Sequence, residues 1–432
     1  MFETVWPGVK PSTVLIHTPC NELEDDHLEP PLGLLYLATL LIQHGYQTKI
    51  VDLSSVPPEA WADLIPAADL YGFSTYTTTY HRTLQILALV KHRFPHARTV
   101  AGGPHATALP ELVARDFDFV VTGEGEQALL DLVQAVEKGI APSRKLTGIP
   151  TPNLDDLPFP DFSLVDLNSY RRVVAGMPSI SILSSRGCPY PCVFCSSIVM
   201  RARQQMRFRS AENVVEEIRQ IKARWGVDSF RFQDDLFTVS LPRLRALAGL
   251  LERERIIYRC FGRVDLCSRE TADLLYRSGC RHIAFGVESG SDFILQRMKK
   301  GQTSDDIRRG IANARAAGLT VRVYLIVGFP GETWATIQET ADLMRECRPD
   351  EFSVYPLIPY PGTDMYLHPE EFGITSINPD FSQYFQVQNG RKTGYVFRTS
   401  ELNEGIIAEM RAFIIRQMEE FATWAGCSKS FR

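Results

Sequence analysis

The chain has 432 residues, 44% hydrophobic and 22% charged, which fits a globular protein long enough for two or three domains with substantial cores. No stretch reaches the roughly 20 consecutive apolar residues of a membrane helix. The start, MFETVWPGVKPSTVLIH, lacks a basic segment leading into an apolar run and cleavage site, so a cytoplasmic location is expected. With a net charge of -5 and no long basic block, neither a membrane nor a nucleic acid is expected as a partner.

From the N-terminus, apolar runs of strand length alternate with helical periodicity. Residues 12–19 (STVLIHTP) read as a strand, 32–45 as a helix closed by Gly45, and 46–53 as a second strand. The pattern repeats with strands at 68–75, 97–103 and 118–126 and helices at 81–94, 109–116 and 127–136. Five strands with intervening helices predict a doubly wound, Rossmann-like parallel sheet over residues 1–139, which binds its ligand outside the carboxyl ends of the strands. Glycines and small polar residues gather at those ends: Ser74 to Thr79, Gly102 to Thr107, and Thr122 to Glu126. Gly102 and Gly103 either admit a large ligand to the backbone or simply turn a strand into a helix.

Residues 140–177 are proline-rich and aperiodic and read as a linker. Beyond it, strands are predicted at 179–185, 229–235, 256–262, 281–287, 319–327 and 351–357, separated by helices. Six such units over residues 178–365 predict a parallel barrel short of the usual eight strands, with its chemistry at the C-terminal strand ends. Residues 366–432, aromatic and polar and then helical, read as a segment that covers the open barrel or as a packing cap.

The first barrel strand runs into SSRGCPYPCVFCSS, which holds Cys188, Cys192 and Cys195. A structural zinc site needs a fourth ligand, yet no cysteine or histidine lies between Cys195 and Cys260, and the next histidine is His282. Gaps of three and two residues suit three corners of an iron-sulfur cubane, which leaves a fourth iron open. Nine cysteines in a chain of this length are too sparse for a disulfide scaffold. Cys20, Cys260, Cys267, Cys280, Cys347 and Cys427 therefore read as ordinary thiols.

C-x-x-x-C-x-x-C with Phe194 before the last cysteine resembles the loop of radical S-adenosylmethionine enzymes. Along the chain GGPHAT, GEGE, RFRSAENVVEEI, DDLF, GVESGS, MKKGQT and VGFPGET occur in the order seen in the cobalamin-binding branch of that family. The resemblance implies that Cys188, Cys192 and Cys195 hold a [4Fe-4S] cluster, that its open iron chelates S-adenosylmethionine, and that Phe194 borders the adenine. Asp234 or Asp235 in FQDD stands where the family contacts the methionine amino group. Glu288 and Ser289 match a ribose or carboxylate contact, and Gly328 an adenine contact, with Tyr324 where the pattern often has glycine.

In the first domain the resemblance implies cobalamin laid against the glycine-rich strand ends at Ser74, Gly102, Gly103, Thr122 and Glu124. The D-x-H-x-x-G signature is absent, since DDHLEP puts Pro30 after Asp25 and His27, so the implied state is base-off and His-off. His27 then reads as a surface-loop residue, Tyr76 and Thr77 as facing the lower corrin, and His105 as a loop or tail contact. The implied activity is transfer of a methyl group from S-adenosylmethionine, by way of methylcobalamin, to an unactivated carbon of a small molecule or natural-product intermediate. A 5′-deoxyadenosyl radical takes a hydrogen atom from that carbon, and a low-potential donor such as flavodoxin or ferredoxin supplies electrons. Oxidation, ring contraction or cyclisation with the same cofactors is the alternative. A tRNA methylthiotransferase carries further N-terminal cysteines, whereas here only Cys20 precedes the loop; a non-catalytic corrinoid or iron-sulfur carrier is the remaining class.

Overall fold

The computed structural model describes residues 9–20, 26–200, 206–385 and 394–424, so Asp25 and Cys427 lie outside the described residues. The chain divides into two compact units. The first comprises residues 1–171, 198–204 and 380–384; the second comprises 172–197, 205–379 and 385–432.

The first unit is built on a parallel sheet of β1 (Thr13–His17), β2 (Thr48–Asp52), β3 (Leu70–Ser74), β4 (Arg98–Gly102), β5 (Phe119–Thr122) and β6 (Lys145–Thr147). Its strand order is β2-β1-β3-β4-β5-β6. Alternate residues enter different cores. Val14 and Ile16 pack with Phe73, Trp61 and Ile86 on one face. Leu15 packs with Val100, Leu34 and Leu132 on the other. That division follows from the two-residue period of a strand and makes the sheet doubly wound. The order reverses between β1 and β3, so a ligand crevice belongs at the carboxyl ends there.

Residues 140–171, expected as a linker, pack with this unit. They supply β6 and three single turns begun by side-chain caps: Asn153 accepts from the Asp155 amide, Asp161 from Ser163 and Asp166 from Asn168. Leu154 and Phe162 are buried. Short Asx turns carry no periodicity, so the sequence reading missed their packing. Residues 380–384 also belong to the first unit, where the Phe381 ring meets His105 edge-on at 4.9 Å.

The second unit carries β7 (Ile180–Ile182), β8 (Ser229–Phe232), β9 (Ile257–Gly262), β10 (Cys280–Glu288), β11 (Thr320–Val327), β12 (Glu351–Pro356) and the short β13 (Thr423–Trp424). They pair in sequential order, all parallel, from β7 to β13. Sequential parallel pairing with a helix between strands is the construction of a partial barrel. One set of alternate side chains, including Tyr258, Cys260, Phe285, Val323 and Val354, is fully buried. The other set contains most of the strands' polar residues.

Helix α1 (Ser304–Ala316) starts with a capping box between Thr303 and Asp306. Its Gly310 lies against the turn after β9, where an added Cβ would sit 2.4 Å from the Val264 carbonyl oxygen and 2.8 Å from its Cα. Because those atoms are backbone, Gly310→Ala must push the helix off the turn that follows Arg263. We expect a loss of roughly 1–3 kcal/mol, read as a lowered melting temperature, whereas Gly249→Ala, an exposed helix position with nothing within 4 Å, serves as the control that holds or raises it.

Candidate active site

The cysteine loop leaves β7 through Ser184 and Ser185, and both are fastened to the end of β8. The Ser184 amide donates to Asp234 Oδ1 at 2.8 Å, and the Ser184 and Ser185 hydroxyls donate to Oδ2 at 2.5 Å each. Arg243 adds a guanidinium on the far side, donating to the Ser184 carbonyl at 3.0 Å and Oγ at 2.6 Å. Asp234 was expected at the methionine amino group. It is buried, and both of its oxygens are engaged by Ser184 and Ser185 at the start of the loop. Asp235 is exposed at the same strand end, where the Ser197 hydroxyl donates to it at 2.9 Å.

Within the loop, the Cys195 amide donates to the Cys192 carbonyl at 3.2 Å, and the Val193 amide between them donates to Met298 at 3.2 Å. Cys192 is buried, while Cys188, Phe194 and Cys195 are half-buried. Burial pushes the Cys192 thiol up, and the cations of Lys300 and Arg263 oppose that push. Arg263 lies over the Tyr190 ring at 3.6 Å and reaches the Lys300 carbonyl at 2.6 Å. Among the described residues no three His, Cys, Asp or Glu side chains converge as on a single metal ion. A cubane asks for something different, namely thiolates spread over separate irons and a positive surround that favours deprotonated sulfur. One turn carrying three accessible or cation-flanked thiols fits that demand.

Glu288 closes β10 in the left-handed region at φ 68°, where the pairing with β11 shifts register. Side chains other than glycine rarely occupy that region, and strain of this kind persists where the surroundings enforce it. Here the Lys300 ammonium does so, 3.0 Å from Glu288 Oε1, while Gln302 donates to the Gly286 and Val287 carbonyls at 3.3 and 3.1 Å. Ser289, expected beside Glu288 as a ligand contact, is buried, with its hydroxyl 3.3 Å from that of Thr340 and accepting from the Ser291 amide at 3.2 Å. These contacts fix the turn after β10. Gly328 ends β11 at φ 93°, with Ile407 about the site of any added Cβ at 3.0 Å.

Lys300, Arg263 and Glu332 escaped the sequence reading. The Gly328 amide donates to Glu332 Oε2 at 2.6 Å, and burial raises this carboxyl to about 8 against the opposing amides of Gly328 and Phe329. An acidic residue just before a helix cap, Thr333, reads from sequence as a surface charge at a helix start, and no pattern marks it as buried.

In the first unit, Gly103 turns at φ 92°, where a Cβ would lie 3.0 Å from the Thr75 carbonyl oxygen and 3.3 Å from Ser74 Oγ. The loop is tied by Thr75 Oγ1 to the Gly102 carbonyl at 2.7 Å and by Thr107 Oγ1, which accepts from the Gly123 amide at 3.0 Å. Ser74, Gly102, Gly103 and Thr122 therefore come together across neighbouring strand ends, half-buried. Glu124 is buried and accepts from the Thr151 amide at 3.2 Å, which fixes the chain after β6. Tyr76 is 46% exposed at the end of β3. Thr77 is buried with its hydroxyl 3.0 Å from His105 Nδ1. His105, expected as a loop or tail contact, is itself buried against Tyr80 at 4.2 Å, and burial lowers its pKa to about 4. His27 stacks on Tyr170 at 4.2 Å with Nε2 2.7 Å from Ser169 Oγ.

A doubly wound sheet with an open strand-end cradle, joined to a partial barrel bearing a three-thiol loop, defines a class of enzyme built for two large cofactors. The Radical SAM superfamily model matches residues 182–344, and the B12 binding domain model matches residues 24–133. An uncharacterized methyltransferase of Pyrococcus horikoshii is 30% identical over 365 residues, 78% of each chain. The anaerobic magnesium-protoporphyrin IX monomethyl ester cyclase of Rubrivivax gelatinosus is 25% identical, over 93% of this chain and 78% of that one. The fold matches that of the radical S-adenosylmethionine methyltransferase TsrM from Kitasatospora setae, solved with cobalamin and a [4Fe-4S] cluster bound, at a TM-score of 0.74 and 19% identity over 98% of this chain and 92% of that one. The chain belongs to the cobalamin-binding radical S-adenosylmethionine enzyme family.

Two outcomes follow from the pinned loop and the buried carboxyl. Asp234→Asn weakens charge-assisted hydrogen bonds worth roughly 1.5–3 kcal/mol each; iron retained after anaerobic reconstitution is expected to fall severalfold while the far-ultraviolet circular dichroism stays unchanged. For Glu332, the folded chain keeps a proton that the unfolded chain releases, between about 4.5 and about 8. Its contribution is therefore full at the acid end of that window and is lost as pH rises through it. Glu332→Gln, uncharged throughout, is expected to flatten that part of the melting-temperature profile.

Proposed function

We propose that this chain is a methyltransferase acting on an unactivated carbon of a small molecule. The observation that carries the reading is the cysteine loop: three thiols in one turn, held at the barrel mouth by Asp234, leave a cubane one iron without a protein ligand. With the cluster, S-adenosylmethionine and base-off, His-off cobalamin bound, the chemistry supplied is reductive cleavage of a sulfonium and carriage of a methyl group.

The chain's own residues do the positioning. Cys188, Cys192 and Cys195 hold the cluster, with Arg263 and Lys300 offsetting thiolate charge. Asp235, Glu288 and the Gly328 turn take the amino acid and nucleoside portions of S-adenosylmethionine, and Phe194 borders the adenine. Ser74, Gly102, Gly103 and Thr122 give the corrin's tail close approach to the backbone, and exposed Tyr76 takes the lower face. Thr77, Glu124 and Ser289, committed to internal partners, shape these sites from behind. Ile407 of the helix Glu404–Glu419 packs at Gly328, which supports a share for residues 366–432 in forming the pocket. A flavodoxin or ferredoxin is the expected electron donor.

A second reading, cyclisation without methyl transfer, has one observation in its favour, the resemblance to the Rubrivivax gelatinosus cyclase over 93% of the chain. Reduced, reconstituted protein given S-adenosylmethionine labelled in its methyl group decides between them. Methyl transfer puts label in the product, with both S-adenosylhomocysteine and 5′-deoxyadenosine formed. Cyclisation gives 5′-deoxyadenosine and an unlabelled product. Cys195→Ala is expected to abolish 5′-deoxyadenosine in either case.

A further inference from the structure

The turn that follows the helix Asp292–Arg297 backs the cysteine loop. Its Met298 carbonyl accepts from the Val193 amide at 3.2 Å, and Val193 follows Cys192 in the chain. The Lys300 carbonyl accepts from Arg263 at 2.6 Å, and the same guanidinium lies over the Tyr190 ring at 3.6 Å. Residues 298–300 thus brace the loop on both sides of Cys192, once directly and once through Arg263. Met298 and Lys300 are buried, whereas Lys299 between them is exposed, as are Pro189 and Pro191 of the loop.

Lys299 holds a left-handed backbone at φ 50°. The Lys300 amide returns to the Leu295 carbonyl and the Lys299 amide to that of Gln296, each at 3.0 Å, which makes Lys299 the residue just past the helix cap. Glycine is the ordinary occupant of that position, because a Cβ is crowded there. The fold thus accepts backbone strain to put a long cation on the surface behind Cys192. Among the described residues its ammonium makes no hydrogen bond or ion pair.

Arg297 extends the patch. It is exposed, and its Nε donates to the Pro330 carbonyl at 3.2 Å, which holds the guanidinium on the turn after β11. Phe293, one helical turn earlier, is 55% exposed with the Arg297 guanidinium 5.8 Å from its ring centroid. The carboxylate on this helix, Asp292, is engaged by the Ser304 amide and hydroxyl at 2.6 and 3.1 Å, and Asp265 is engaged by Arg263 at 3.0 Å. An exposed ring with two cations beside it therefore stands on a chain whose net charge is -5. Aromatic rings and arginine are enriched at protein interfaces, and a basic patch on an acidic chain selects an acidic partner.

We propose that Phe293, Arg297 and Lys299 form the docking surface for the reductant, and that the reductant is an acidic low-potential flavoprotein of the flavodoxin kind. A flavin presents a planar apolar edge that suits the exposed Phe293 ring, while acidic residues around that edge pair with Lys299 and Arg297. The Met298 carbonyl and the Val193 amide then give a hydrogen-bonded path from the docked flavin to Cys192. Each encounter moves one electron: the anionic flavin hydroquinone becomes the neutral semiquinone and the cluster gains one negative charge, with no proton transferred. The inference rests on the chain using a reducible cluster and deepens the proposed function by locating its electron supply.

The test uses full-length protein reconstituted anaerobically. Flavodoxin binding is measured by isothermal titration calorimetry at low and high ionic strength. S-adenosylmethionine cleavage is driven on the same preparations either by flavodoxin with its reductase or by dithionite. The parent is expected to bind flavodoxin with an affinity that falls severalfold as salt rises. Lys299→Gly relieves the backbone, so its melting temperature is expected to hold or rise. Its flavodoxin affinity and subsaturating flavodoxin-driven cleavage are expected to fall roughly tenfold, with dithionite-driven cleavage at the parental rate. Arg297→Gln and Phe293→Ser are expected to act in the same direction. Absence of flavodoxin binding by the parent, binding of an acidic ferredoxin in its place, or a Lys299→Gly protein with parental affinity overturns the proposal. So does an equal loss of cleavage with both reductants, which makes Lys299 part of the site rather than of the surface behind it. Absence of dithionite-driven cleavage in the parent, with docking intact, removes the proposed function and not the docking surface.

Discussion

A loop with three cysteines and two prolines in eight residues has no hydrophobic core of its own. Its geometry is imported through the Asp234 carboxylate, which collects an amide and two hydroxyls from Ser184 and Ser185. Such charge-assisted bonds in a buried setting are strong because the alternative is an unsatisfied anion. Arg243 lets the anion exist there, since it reaches Ser184 from the other side and Asp234 favours its charged form against burial. Everything at the barrel mouth is referenced to that junction of β7 and β8.

The barrel reverses the usual distribution of polarity. Its outer face is packed with Tyr258, Phe285, Val323 and Phe352, all fully buried, and supplies the burial that stabilises the unit. The inner face is thereby released from packing and carries charge and rings instead. The left-handed Glu288 is part of the same economy: the bulge in β10 turns its carboxylate to Lys300, so local backbone strain is held by an ion pair in which both partners are buried.

The repeat of strand and helix was legible because parallel strands leave apolar runs, and the cysteine loop because its spacing is confined to eight consecutive residues. What stayed hidden depends on register. An arginine in SFRFQDD or YRCFGRV reads as a solvent-facing residue of an alternating strand; only the pairing of Arg231 with Arg259 puts them on one inner face. Lys300 is twelve residues from Glu288, and the short helix Asp292–Arg297 is what returns the chain to it. The turns of 140–171 and the return of Phe381 to the first unit likewise rest on single caps and ring contacts, which leave no period in a sequence.

Three acidic residues of the second unit show how environment divides one chemical group into separate tasks. Asp234 is an anion saturated by donors and serves as a fastener. Glu288 is paired with Lys300 at the end of a bulged strand and serves to hold the strained turn. Glu332, buried and tied to the Gly328 amide, is raised by that burial to about 8 and holds its proton at neutral pH. A charged carboxylate at that turn would draw its backbone donors away from anything bound at the strand end. A neutral carboxyl fixes the turn with a weaker claim on those donors than a charged one would make.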